Sequence, residues 1–141
     1  MAAAAMSAEE LQRRLHAEFP EAFNPSSGLY IEHLEYGACR VRRKFDPSTL
    51  RPGGTISGPT MMALADVAMY VVVLGAIGWA PLAVTTQHNI HFLRKPAPGD
   101  LLADARLLRL GKRSAVGEVT VRSDGEEAPV AHATSAYSIP E

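Results

Sequence analysis

Apolar positions recur along the chain with two different periods, and the switches between them mark out its elements. Leu11, Leu15 and Phe19 fall every four residues, the single stripe of a short helix. Ser7 with Glu10 three positions on is a capping-box pattern, so the helix is predicted to open there and run to about Phe19. From Leu29 the period becomes two. Leu29, Ile31 and His33 alternate with Tyr30, Glu32 and Leu34; beyond Gly37, Cys39, Val41 and Arg43 alternate with Arg40 and Arg42. Two strands around a turn at Gly37 are predicted. "DPSTLRPGG", residues 46–54, reads as a loop by its proline and glycine content.

The segment from Gly58 to Val84 is apolar on nearly every side, with Asp66 inside it. It predicts a long buried helix that starts at Ser57 or Gly58, with Pro59 at its first position, and ends near Gly75 or Gly78. Val67 to Val84 carries no charge, a run long enough to be weighed as a membrane span. Asp66 at its start, the cluster of Gly75, Gly78 and Pro81, and the lack of a basic cluster at either end argue instead for a helix covered by its own protein. From Leu82 the chain is extended. Val84, Thr86, His88, Ile90 and Phe92 are expected on one face, and Thr85, Gln87, Asn89 and His91 on the other. Three further strands follow, over residues 101–110, 115–122 and 130–139, joined by "GKRS" and "DGEEAP" turns.

The order predicts an α+β fold, an antiparallel β-sheet wrapped around a long central α-helix. Residues 1–27 form an N-terminal helix and loop ahead of a domain over 28–141. One small sheet covers only part of so apolar a helix, so a second subunit is expected to cover the rest.

Net charge of −1 gives no reason to expect nucleic acid or an anionic membrane as partner. Cys39 is the single cysteine, which leaves no internal disulfide and no multi-cysteine metal site, and fits a reducing, cytoplasmic setting. The N-terminal stretch lacks the basic region and apolar core of a signal peptide.

With these elements in place, "GGTISGPTMMALADVAMY", "TTQHNIHFLRKPAPGD" and "LGKRSAVGEVTV" resemble the hotdog-fold thioesterases of the phenylacetyl-CoA thioesterase-like group, over roughly residues 28–139. In that group a His-Gly-Gly opens the central helix and an aspartate follows nine positions after the histidine. Here Ser57 takes the histidine position, Gly58 the first glycine, Pro59 the second, and Asp66 the aspartate. The resemblance implies a homodimer, often paired again into a tetramer, that hydrolyses acyl-CoA thioesters without metal or redox cofactor. It also implies active sites at the subunit interface, one subunit giving the backbone N–H at the helix start and the other the acidic residue.

Each candidate residue has a plain reading beside the chemical one. Thioester hydrolysis needs a base to activate water, or a carboxylate to attack directly, and a carboxylate in a partly dry pocket is more basic than one in water. Asp66 is the candidate for that role, the alternative being an aspartate bound to nearby backbone for dimer geometry. Gly58 and Thr60 keep first-turn N–H groups that have no helical partner and can stabilise an oxyanion. Ser57 is either a helix cap or a hydroxyl that positions carbonyl or water. Thr85 falls where related enzymes carry a serine or threonine that binds the catalytic water or acid; it is equally an ordinary strand residue. No Gly-x-Ser-x-Gly elbow occurs, which speaks against a Ser–His–Asp triad. His88 and His91 should face opposite ways, which speaks against a shared metal. Asn89, Arg94, Lys95, Lys112, Arg113 and Ser114 are candidates for contacts to coenzyme A, the basic ones for its phosphates. Arg40, Arg42, Arg43 and Lys44 read as a charged edge strand. Met61, Met62, Met69 and Tyr70 are expected to shape an acyl tunnel. Two other readings stand beside hydrolysis: an acyl-CoA or small-ligand binding protein without turnover, motivated by the missing histidine and second glycine, and a hydroxyacyl-thioester dehydratase.

Overall fold

The computed structural model describes residues 3–140. Met1, Ala2 and Glu141, at the outer ends of the two segments expected from sequence, lie outside the described residues. The helix α1 spans Ala8–Glu18, and the hydroxyl of Ser7 caps it by accepting the N–H of Glu10 at 3.1 Å. Strands β1 (Leu29–Glu35) and β2 (Ala38–Arg43) follow. The stretch read as a plain loop contains a 3-10 turn at Pro47–Thr49 and a two-strand ribbon, β3 (Leu50–Arg51) with β4 (Thr55–Ile56). The helix α2 runs Gly58–Ile77, then come β5 (Val84–Phe92), β6 (Leu101–Leu110), β7 (Ser114–Ser123) and β8 (Pro129–Ser138).

Six strands form one antiparallel sheet in the order β1-β2-β6-β7-β8-β5, so β1 and β5 are its edges. The inner face is built largely of small residues, among them Ala103, Ala105, Ala131 and Ala133, which lets α2 lie close against it. Gly117 shows how close. A Cβ there would stand 2.7 Å from the Met69 sulfur and 2.7 Å from the Arg106 carbonyl oxygen. By length and composition α2 could cross a bilayer, yet Leu64, Ala68, Met69 and Val71 to Leu74 are buried in the chain's own core. Leu11 and Leu15 of α1, with Phe23, join that same core.

Both edge strands carry a bulge, which overturns the strict alternation expected for them. In β1 the register slips between Ile31 and His33, leaving His33 exposed and turning Leu34 toward α2. In β5 it slips between Thr85 and Gln87, with Thr86 as the extra residue. An extra residue shifts the face of everything before it. Thr85 therefore shares the inner face with His88 and Ile90 instead of lying opposite them, while Val84 is exposed. The charged strand β2 is not an edge either, since it pairs with both β1 and β6. Its arginines serve ion pairs on the outer face: Arg40 with Asp104 at 2.7 Å, and Arg42 with Glu32, Asp100 and Asp124 at 2.8–3.0 Å.

Part of α2 remains uncovered. Pro59, Met62 and Ala63 are exposed, and beside them the open edge carries Leu82, Val84, Phe92 and Leu93, all about half-exposed or more. This apolar strip lies directly beside an unpaired strand edge.

Candidate active site

Asp66 lies two turns into α2, on the side facing α1 and the start of β5, and is half-buried. Two hydroxyls converge on one of its carboxylate oxygens. Thr85 Oγ1 donates to Asp66 Oδ1 at 2.7 Å, and the Tyr137 hydroxyl donates to the same atom at 3.0 Å and to the Asp66 carbonyl at 3.1 Å. The β5 bulge makes the first contact and the inward face of β8 the second. Burial pushes the Tyr137 phenol far above its ordinary range, helped by the neighbouring Asp66 charge, and burial also raises Tyr70.

The carboxylate opens into a cavity of about 500 Å³. Its wall comes from Phe19 and Ala22 after α1, Ala63, Val67 and Tyr70 of α2, and Pro81 to Val84. Phe19 meets Tyr70 edge-on at 5.9 Å, and the Tyr70 hydroxyl donates to the Pro81 carbonyl at 2.9 Å. Of the four residues expected to shape an acyl tunnel, Tyr70 alone lines this cavity. Met69 is fully buried against Gly117, Met62 points to solvent, and Met61 lines a separate recess. The cause is helical phase: Met61, Ala65 and Met69 share the face pressed on the sheet, while Ala63, Asp66, Val67 and Tyr70 share the one toward α1.

The start of α2 forms that second recess, about 220 Å³, with Gly58, Met61, Phe92, Arg51, Arg94 and Lys95 in its wall. Ser57 is the cap: its hydroxyl accepts the Thr60 N–H at 3.3 Å and bonds the Thr60 hydroxyl at 2.8 Å. Gly58 is the first helical residue and Pro59 the second, one place later than expected. This arrangement leaves a single donor. Pro59 has no N–H, that of Thr60 is taken by the cap, and that of Met61 binds the Ser57 carbonyl at 3.3 Å. Among the described residues only the Gly58 N–H of the first turn has no acceptor.

This geometry coincides with a sequence pattern. That of the thioesterase superfamily matches residues 53–130, more than half of the chain and all of α2 and β5. The chain belongs to the thioesterase superfamily. A crystal structure from a Silicibacter species described as a thioesterase is 44% identical, with a TM-score of 0.88 over 98% of this chain and 94% of that one. A mutant of the phenylacetic acid degradation protein PaaI from Thermus thermophilus is 28% identical over 86% of this chain and 98% of that one, with a TM-score of 0.72. A Halobacterium salinarum protein named as an esterase is 31% identical over 107 residues, which is 72% of this chain and 70% of the relative. The hotdog fold and the likeness to the PaaI group follow, and thioester hydrolysis is the activity that they support.

Within this superfamily member the basic candidates fall into two groups. Arg94 and Lys95 follow β5 at the Gly58 end, where Arg94 donates to the Pro129 carbonyl at 2.7 Å. Lys112, Arg113 and Ser114 sit in the β6–β7 turn, where Ser114 pairs with Ser138 and Ser138 with Val84, near the Asp66 end. Asn89 is exposed on the outer side of β5. His88 faces inward with Nδ1 2.5 Å from Ser135 Oγ, whereas His91 is exposed. Cys39 is buried, donates to the Ala68 carbonyl, and has its thiol pushed up to about 12 by burial.

Sequence reasoning passed over Tyr137, Arg51 and the contribution of Phe19 and Ala22. Tyr137 carried a usable signal as the one aromatic in a strand of small residues, since a buried phenol must find a polar partner. Phe19 and Ala22 were assigned to a segment set apart from the main domain, and no local pattern brings them to α2.

Proposed function

We propose that the protein hydrolyses an acyl- or aryl-CoA thioester to the free acid and CoA, in a site shared by two copies of the chain. The observation that carries the reading is the pairing of half-sites along β5. Asp66 and its cavity lie at one end of this open edge strand, and the free Gly58 N–H with Arg51, Arg94 and Lys95 lies at the other. Gly58 and Asp66 stand eight residues apart on α2, roughly 12 Å at about 1.5 Å per residue, too far for one thioester carbonyl to meet both. Two β5 edges paired antiparallel about a two-fold axis bring the Gly58 end of one copy to the Asp66 end of the other. The same pairing covers Leu82, Val84, Phe92 and Leu93.

In that composite site Asp66 takes a proton from water as the oxygen attacks the thioester carbonyl carbon, or attacks that carbon itself. Charge on the carbonyl oxygen is met by the partner's Gly58 N–H, at the positive end of α2. In the first route the tetrahedral intermediate collapses, the C–S bond breaks, and the CoA sulfur takes up the proton that Asp66 held. In the second, CoA leaves as thiolate, and water then cleaves the mixed anhydride on Asp66, releasing the acid, freeing the carboxylate and supplying the proton for the thiolate. Arg94 and Lys95, with Arg51, bind phosphate oxygens of CoA at the mouth, joined by Lys112 and Arg113. The acyl group lies between Phe19, Val67 and Tyr70.

Subunit complementation tests this directly. Asp66→Asn removes the base, and Gly58→Pro removes the oxyanion donor at a helix position that tolerates proline. Each variant alone should be inactive, while dimers re-formed from an equal mixture should recover about a quarter of wild-type activity, since half are mixed and each mixed dimer has one intact site. No recovery from well-folded mixed dimers would contradict a shared site.

A further inference from the structure

Tyr137 has no part in the proposed hydrolysis, yet its placement is specific. The residue is 3% exposed, and its hydroxyl reaches both the carbonyl and the Oδ1 of Asp66. With its phenol raised by burial, the group keeps its proton through the neutral range and acts as a donor. Thr85 donates to the same Oδ1, at 2.7 Å. No described residue donates to Oδ2. That oxygen is also not sealed away, because His88 Nε2 is the one buried side-chain nitrogen or oxygen without a partner among the described residues. The two oxygens of a single carboxylate therefore sit in different surroundings.

We infer that Tyr137 is a positioning residue that, with Thr85, pins Oδ1 of Asp66 so that Oδ2 alone is presented to water in the cavity. Two donors on one oxygen fix the turn of the carboxylate about its last bond, and a misplaced base loses much of its effect. The catalytic consequence rests on the proposed hydrolysis; the contact itself does not.

The test compares wild type, Tyr137→Phe and Asp66→Asn by acyl-CoA kinetics and by proton NMR. In Tyr137→Phe, kcat should fall about tenfold or more, the size of losing one hydrogen bond to a charged group, with KM unchanged. A fall in kcat without a change in KM is what a merely structural role would not give. Independently of turnover, the shielded phenol proton should give a slowly exchanging downfield resonance that is absent in Tyr137→Phe and moves upfield in Asp66→Asn. A Tyr137→Phe enzyme with wild-type kcat would overturn the inference, as would a phenol proton indifferent to Asp66→Asn. Failure of hydrolysis itself looks different: no thioester turned over by wild type, with the phenol proton still responding to Asp66→Asn.

Discussion

Thr85 Oγ1 lies 2.7 Å from Asp66 Oδ1, and it does so because one extra residue, Thr86, sits unpaired in the edge strand beside it. Without the bulge, Thr85 would point to the outer face. The hydroxyl, and not the methyl group, is what this contact uses. Thr85→Ser should keep activity near wild type, whereas the nearly isosteric Thr85→Val should lower kcat about tenfold or more, as for a lost bond to a charged acceptor. Steady-state kinetics on one acyl-CoA separates them; equal activity in the two variants would show that the hydroxyl is idle.

Acyl selectivity should follow the cavity wall and not the methionines. Ala63→Leu places a larger side chain beside Asp66 and should shift preference toward smaller acyl groups. Met69→Ala should leave the preference alone and instead cost about 2–5 kcal/mol of stability, the usual loss on emptying a core site. Chain-length profiles and urea unfolding together check the pair.

How far the sequence could be read is clearest at these residues. The long apolar run gave α2, with a start at Ser57 or Gly58 and an end near Gly75 or Gly78, because a helix that apolar and flanked by glycine has few alternatives. Asp66 stood out because a carboxylate in such a run calls for a reason. The order of strands followed from their alternation and turns. Bulges at Glu32 and Thr86 were invisible, since a two-residue period says nothing about where a register slips, and the face of Thr85 was misread for that reason. Membership of β2 in the sheet interior was hidden by its arginines, whose acidic partners lie up to 82 residues away in sequence. The phase of α2 was hidden too: when every side is apolar, periodicity cannot tell which methionines face the sheet.

The basic recess should read the nucleotide end of the substrate. Arg94→Ala with Lys95→Ala should raise KM for an acyl-CoA while leaving KM for the matching acyl-pantetheine ester, which lacks the nucleotide phosphates, unchanged. Both esters affected alike would place the phosphates elsewhere.

Alkaline stability should report on Tyr137. Its phenol is raised in the folded chain, so its contribution is complete below the unfolded value near 10 and is lost as pH climbs through that value toward the folded one. The unfolded state sheds the proton first and is favoured. Unfolding midpoints from pH 8 upward should fall more steeply for wild type than for Tyr137→Phe once about pH 10 is passed. Parallel curves would mean that the phenol ionises freely in the folded protein.

The most direct measurement is thiol release from a panel of short, medium, long and aromatic acyl-CoAs, with wild type and Asp66→Asn side by side. Wild type should hydrolyse at least one of them, and the rate should drop by about 10² or more in the variant, as expected when a general base is removed. Saturable binding of these esters without release of thiol by wild type, or equal release by both proteins, would contradict this.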